Sequence, residues 1–363
     1  MTPGRPGFVL TATMSSILDQ LDQPRVSRLE LGSVTVTVSH LDRILWPATD
    51  TCRALTKRDL LRYFARMADY LLPHIADRPL TLNRYPTGLH GKHFFQKHIE
   101  TTLPAYVARE CLYAEQHDSS GYYAMCNNLP TLLWLGQTAN LELHPWQSRT
   151  TAEADARGLP RSFSGSVENL EASVLNYPDF MVFDLDPYVY SGHEEPRGEP
   201  LVHREGFRTT CEAACWVKDV LDRLTLRSFV KTSGKTGLHI LVPILRQFDY
   251  DAIRRMAEQI CRQVMRQHPR ELTMEWSVER RRGKVFLDYN QNTRGKTLAS
   301  AYSPRALPGA PISVPIDWGE IQSVYPTDFS MLSVHERLAR VGDLWRDILA
   351  AKNDLATLFE AQV

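Results

Sequence analysis

The run Phe180-Met181-Val182-Phe183-Asp184-Leu185-Asp186-Pro187 constrains this 363-residue chain more than any other stretch. Four apolar residues predict a strand, two acids follow one residue apart, and Pro187 lacks the amide needed to continue a ladder. Side chains alternate along a strand, so Asp184 and Asp186 project to one side, with α-carbons roughly 7 Å apart. Carboxylates held together repel, and a hard divalent cation with oxygen ligands is the natural compensation. The plainer reading is a pair of exposed strand-end acids facing a nearby arginine.

A second strand-like run, Val285-Phe286-Leu287-Asp288-Tyr289, delivers a third acid. Alone, Asp288 reads as a turn residue. On a strand beside the first two acids it completes a set able to hold two divalent ions, the arrangement that steadies attacking and leaving oxygens in phosphoryl or nucleotidyl transfer. Between these runs lies Lys231-Thr232-Ser233-Gly234-Lys235-Thr236-Gly237-Leu238-His239. Gly234 and Gly237 permit a tight turn whose amides can face an anion, Ser233 adds a hydroxyl, Lys235 a charge, and His239 opens the next strand. The run differs from a P-loop, since it leads into a strand and lacks that spacing. A polar turn explains it equally well in isolation; beside three carboxylates it reads as a triphosphate cradle. Arg305, after Pro304, supplies a planar fork for phosphate.

Helical periodicity appears from Thr56 to Pro73, opened by a Thr56/Asp59 capping box, then over Thr209–Leu224, Tyr250–Gln267 and residues 331–359. Short β-rich runs lie between them, which predicts an α+β (mixed α/β) layered domain. Residues 1–27 read as an N-terminal arm and 28–363 as one catalytic domain. Polar stretches at 147–176 and 188–206 read as loop insertions flanking the Asp184 strand.

Lysine plus arginine equals aspartate plus glutamate at 42 each, so overall charge points to no polyanionic partner. A local strip from Glu279 to Lys296 is basic, with Arg280, Arg281, Arg282, Lys284, Arg294 and Lys296. Gly91-Lys92-His93-Phe94-Phe95-Gln96-Lys97-His98 and Asn83-Arg84-Tyr85-Pro86 interleave cations with aromatics, a composition suited to stacked bases. Phe94 and Phe95 could also be core, and at least one is expected there. Six dispersed cysteines and the lack of an apolar run near 20 residues predict a cytoplasmic protein without membrane contact.

Together these motifs resemble the polymerase domain of bacterial ligase D and its stand-alone relatives in the archaeo-eukaryotic primase superfamily, over about Leu31 to Trp318. Asn83-Arg84-Tyr85-Pro86, Phe94-Phe95-Gln96-Lys97, Leu143-His144-Pro145-Trp146, Phe183-Asp184-Leu185-Asp186-Pro187, the Lys231–His239 loop, and Asp288 through Tyr302-Ser303-Pro304-Arg305 carry the resemblance. It implies a primase-type core with RRM-like antiparallel or mixed sheets flanked by helices. It further implies a template-dependent nucleotidyltransferase that extends broken or gapped DNA with ribo- as well as deoxyribonucleotides, in end joining or gap filling. Asp184, Asp186 and Asp288 would hold two divalent ions, Mn2+ or Mg2+. Ser233, Lys235, His239, Arg305 and His144 would surround the nucleoside triphosphate. Arg43 and Lys57 would take a 5′-phosphate, Lys57 at a helix N-terminus that suits an anion; Arg84, Phe94, Phe95, Lys97 and Arg281 would contact DNA. No Lys-x-Asp-Gly ligase motif occurs, which predicts a separately encoded ligase, with an end-binding protein as a further partner, and a monomer near the nucleoid.

Two other readings compete. A haloacid-dehalogenase-type phosphatase would use the Asp-x-Asp strand as its nucleophile. A non-catalytic DNA end- or gap-binding module would use the basic and aromatic residues alone.

Overall fold

The structure, a computed structural model, describes residues 14–114, 118–187 and 203–360. Its first half contains α1 (Met14–Asp22), β1 (Arg28–Leu31), β2 (Val34–Thr37), β3 (Ile44–Trp46), β4 (Leu55–Thr56) and α2 (Lys57–Ile75). There follow β5 (Pro79–Arg84), β6 (Phe94–Gln96), β7 (Ala108–Ala114), β8 (Ser119–Met125), α3 (Leu129–Gln137) and β9 (Asn140–Pro145). The second half comprises α4 (Val167–Ala172), β10 (Phe180–Pro187), α5 (Arg204–Arg223), β11 (Phe229–Thr232), β12 (Leu238–Pro243), α6 (Tyr250–Gln267), β13 (Leu272–Thr273), β14 (Val285–Asp288) and β15 (Pro315–Ile316). Two short helices close it, α7 (Val334–Val341) and α8 (Ala356–Glu360).

Two larger sheets position everything that follows. One pairs β6, β5, β8 and β7 in that order, with β9 also on β5; the other runs β13-β14-β10-β12-β11-β15. All of these pairings are antiparallel except β13 with β14, so this is the expected α+β architecture. β10 sits inside the second sheet between β12 and β14, which is why Phe180 to Leu185 are all buried. Helices α5 and α6 pack on it through Val217, Val220, Leu221, Ile253, Ala257 and Ile260, at the helical spacing that the sequence shows.

β14 reaches only as far as Asp288 opposite Asp184, leaving the earlier part of β10 without a neighbour on that side. The side chain of Asn292 replaces one. Its Oδ1 accepts from the Val182 amide (2.8 Å) and its Nδ2 donates to the Val182 carbonyl (2.7 Å). Asn292 is 1% exposed, so alanine there strands two buried backbone groups. An Asn292→Ala variant is expected to lose about 2–3 kcal/mol in urea unfolding; a loss under about 0.5 kcal/mol would refute the substitution of side chain for strand.

Several boundaries differ from the sequence reading. Residues 14–22 of the supposed arm form α1, whose Ile17 and Leu21 are fully buried and which packs on α2. The Thr56/Asp59 capping box is present, but α2 continues to Ile75 with Pro73 inside its last turns. No single helix spans 331–359: α7 stops before Gly342, at φ +69°, and a turn at Ile348–Ala350 separates it from α8. The 147–176 stretch is ordered by α4 and by Ser148, Leu170, Val174 and Leu175, all buried. Residues 188–202 of the other expected insertion lie outside the described residues, and α5 begins at Arg204.

Candidate active site

Register, more than chain order, assembles the site. In antiparallel pairs, residues directly opposite share a face. Asp288 lies opposite Asp184, Asp184 opposite His239, and His239 opposite Lys231. One polar row therefore crosses four strands, from β14 through β10 and β12 to β11. Asp186, two residues on from Asp184, shares its face and stands opposite Phe286.

The row is joined by short contacts. Gln291 Nε2 donates to Asp184 Oδ2 (3.3 Å) and Asp288 Oδ2 (3.1 Å), placing a neutral amide between two carboxylates. His239 Nε2 lies 3.3 Å from Asp184 Oδ1. Lys231 Nζ is hydrogen-bonded to His239 Nδ1 at 2.6 Å and also donates to Ser313 Oγ. Burial raises the Asp184 carboxyl above its usual range; burial and then the neighbouring Asp184 push Asp288 up to about 6. Burial, with Arg305 nearby, holds Lys231 well below the usual lysine range, and burial with Lys231 does the same to His239.

Lys231 is 2% exposed; the sequence shows it at the head of the glycine-containing run, with no role of its own. Its only visible signal is the two-residue alternation that puts it across from His239. Among the described residues, no three histidine, cysteine, aspartate or glutamate side chains stand together at metal-ligand spacing. The donor chemistry nonetheless suits a hard cation. Asp184 Oδ1 and Gln291 Oε1 are buried without a hydrogen-bond partner, and the acid pair is held by one neutral donor that a cation would replace.

The opposite wall of the cleft comes from β9 and from residues 297–305. Leu143 and Ser300 tie these segments: the Ser300 amide donates to the Leu143 carbonyl (2.9 Å), and Ser303 Oγ accepts from the Leu143 amide (2.9 Å). At the centre is Glu142, 1% exposed. It accepts from Arg305 Nε (3.0 Å), Asn83 Nδ2 (3.0 Å) and the Ala306 amide (2.9 Å), and lies 3.0 Å from His144 Nε2. Burial opposes its charge, yet Arg305 and His144 keep its carboxyl well below the ordinary range. Arg305 Nη1 donates to the Ser233 carbonyl, joining this wall to the glycine loop. Together, His144, Asp184, Asp186, Ser233, Lys235, Thr236, His239 and Arg305 line a cavity of about 240 Å³.

The glycine loop is built differently from the expectation of inward-facing amides. Ser233 Oγ accepts from the amides of Lys235 (3.1 Å) and Gly237 (3.0 Å), so both are already satisfied. Gly237 is required by close approach, since a Cβ there would sit 2.1 Å from the Leu185 carbonyl oxygen. These two amides face Ser233, and the loop carries the Lys235 charge and the Thr236 hydroxyl into the cavity lining.

The outer expected residues form two further groups. Arg43 accepts the Lys57 amide on its carbonyl (2.9 Å), and Lys57, at the first position of α2, is buried with Nζ donating to Ser39 O (3.2 Å). Burial, then the Arg43 charge, lowers Lys57 to about 8. Phe94 and Phe95 are both exposed, 45% and 61%, against the expectation that one would be core. They lie on β6, whose short pairing with β5 leaves both rings uncovered. Arg84 stands over the Phe94 ring at 5.5 Å, and Phe95 meets His144 edge-on at 6.2 Å, which connects this aromatic surface to the cleft. Lys97 is exposed beside them. Arg281 is the exception: it is 5% exposed, with its guanidinium 3.5 Å over Phe286, and it braces a loop where a surface cation was expected.

Antiparallel sheets that set strand-end carboxylates against a cation-lined loop across a shared cleft define a nucleotidyltransferase of the polymerase type. The comparison with known proteins is more specific. The chain belongs to the LigD primase-polymerase domain family, whose model matches residues 56–345. It is 30% identical over 309 residues to the multifunctional non-homologous end joining protein LigD of Mycobacterium bovis, covering 85% of this chain and 36% of that protein. It is 29% identical over 332 residues to the Pseudomonas aeruginosa protein of the same name, covering 90% of this chain and 34% of that one. The chain thus spans about a third of the length of these curated relatives. The solved polymerase domain of Mycobacterium tuberculosis ligase D, in complex with DNA, matches with a TM-score of 0.72 and 29% identity, covering 88% of this chain and 99% of that one. Family membership removes the phosphatase reading. No helix among the described residues is long and apolar enough to cross a membrane.

Proposed function

We propose that this chain extends the 3′ end of broken or gapped DNA along a template, consuming nucleoside triphosphates, ribo- as well as deoxyribonucleotides, in end joining or gap filling. The observation that carries the reading is the polar row Asp288–Asp184–His239–Lys231, whose Asp184 and His239 line one cavity with Asp186, Arg305 and His144. Asp184, Asp186 and Asp288 are the residues that would hold two divalent ions, Mn2+ or Mg2+. Such ions, when bound, supply charge for the attacking and leaving oxygens.

The protein's own groups do the rest. Lys235, His239 and Arg305 spread positive charge and donors along the triphosphate, where charge builds as pyrophosphate departs. Ser233 fixes the loop that carries Lys235. Glu142 orients both Arg305 and His144, so neither has to be ordered when substrate arrives. Arg43 and Lys57 take a 5′-phosphate at the start of α2, and Arg84, Phe94, Phe95 and Lys97 take bases and backbone of the DNA. Arg281 acts on DNA through the loop it braces. A monomer working with a separately encoded ligase, and with an end-binding protein, completes the scheme, within one catalytic domain.

Incubation with a primer-template, Mn2+ and one labelled nucleotide tests the reading. Template-directed extension is expected; a shifted but unextended primer would identify a binding module instead. Metal affinity carries its own pH signature. A carboxyl raised to about 6 is protonated below that pH and then donates no lone pair to a cation. Mn2+ affinity by titration calorimetry is expected to fall about tenfold or more between pH 7 and pH 5, with protons released on binding at pH 6. A flat pH profile would contradict the assignment of Asp184 and Asp288 as ligands.

A further inference from the structure

An exposed tryptophan stands beside the acids and has no part in the scheme above. The β13–β14 connection carries Trp276, 58% exposed. Phe286 lies opposite Asp186 in register and so shares its face. Trp276 meets the Phe286 ring edge-on, with centroids 6.0 Å apart and planes at 66°. The tryptophan thus packs on the residue that stands opposite Asp186, on the β14 side of the catalytic face.

Its backbone is fixed although its ring is not covered. The Arg281 guanidinium sits 3.5 Å over the Phe286 ring, and donates from Nε to the Glu275 carbonyl (2.6 Å) and from Nη2 to the Trp276 carbonyl (2.8 Å). The Glu275 amide donates to Thr273 Oγ1 (3.1 Å), closing the other side. Arg280 and Arg282 are exposed on the same connection, with Arg280 Nη1 3.7 Å from Glu275 Oε2. A rigid aromatic surface flanked by cations matches a strand of bases joined by phosphates.

Direction follows from the reaction geometry. In an in-line displacement at phosphorus, the attacking hydroxyl and the departing pyrophosphate lie on opposite sides. The triphosphate residues Lys235 and His239 are on the β11–β12 side of Asp184, where Arg305 reaches across to the Ser233 carbonyl, and Trp276 is on the β14 side. We propose that Trp276 is a stacking platform for the last base of the primer, the strand whose 3′-hydroxyl attacks. This rests on the polymerase reading and deepens it.

The test uses the full chain with Trp276→Ala and Trp276→Phe, on primer-templates with either a normal or an abasic 3′-terminal primer nucleotide. Loss of base stacking is expected to raise the KM for primer about 5- to 100-fold in Trp276→Ala, with nucleotide KM unchanged and Trp276→Phe largely restored. On the abasic primer, wild type and Trp276→Ala should coincide. Equal primer KM on the normal primer overturns the proposal. So does an equal loss on both primers, or a shift in nucleotide KM. An effect that vanishes only when the templating base is removed assigns the ring to the template strand and also overturns it. Thermal unfolding of each variant separates misfolding from lost contact. Failure of the wild type itself to extend any primer would instead remove the polymerase reading, independently of Trp276.

Discussion

Asp288→Asn is expected to reduce nucleotide incorporation by about 10³-fold or more while leaving DNA binding, and the stability of the fold, intact. Asparagine keeps the shape of the side chain and an oxygen in place of Oδ1 for the Asn290 amide, and puts an amide nitrogen in place of Oδ2, the atom that accepts from Gln291 Nε2. What it removes is the charge that a divalent cation requires. The sign of the stability effect is also fixed. A carboxyl whose folded pKa is raised to about 6 contributes stability below its unfolded value near 4, and that contribution is lost as pH rises through 6. At pH 7.5 the metal-free protein therefore carries an unfavourable charge, and Asp288→Asn relieves it. Urea unfolding in chelator should show the variant equal to or more stable than wild type at pH 7.5. A variant that extended primers at a tenth of the wild-type rate, or lost activity only because it unfolded, would defeat the assignment.

Asp179→Ala is expected to cost about 3–5 kcal/mol of folding stability. Asp179 is fully buried just before β10 and accepts from Arg78 Nη2 (2.8 Å), Arg149 Nε and Nη2 (both 2.9 Å) and Lys352 Nζ (3.0 Å), with Arg246 3.7 Å away. Its backbone pairs with Gln147 and Ile244. One carboxylate thus gathers the start of β5, the segment after β9, the entry to β10 and the C-terminal region. Removing it leaves buried cations facing one another. Burial opposes its ionisation, but Arg78 and Arg149 overcome this and hold the carboxyl far below the usual range. With the folded pKa depressed, the stabilisation is present above the unfolded value near 4 and fades as pH falls below it. The wild-type advantage over Asp179→Ala, measured by urea unfolding, should be full at pH 7 and shrink toward pH 3. An undiminished gap in acid would mean that packing, and not charge, made the difference.

The parts of this protein that follow local rules were legible in its sequence. The Asp184 strand, the Thr56/Asp59 cap and the Tyr250–Gln267 helix each carry their signal within a few residues, and the structure places them there. The acids fell on one face because alternation and register are geometric consequences of strands. The rest needed tertiary knowledge. Helix α1 has only Ile17 and Leu21 as fully buried apolar anchors, too few to stand out beside three prolines in the first 27 residues. The long C-terminal periodicity misled because Gly342, with positive φ, interrupts a pattern that spacing alone cannot break. Glu142 and Lys231 looked like ordinary polar residues in apolar strands; their meaning lies in partners more than 160 residues away for Arg305, and across a strand pair for His239. Arg281 showed the opposite failing, a residue of the right type in the right strip whose burial gives it a bracing task.

Glu142 belongs to the five-stranded sheet, yet it grips Arg305, which in turn grips the carbonyl of Ser233 on the far wall. That bolt joins the two jaws, so the spacing of the cleft walls rests on groups already paired before any substrate comes.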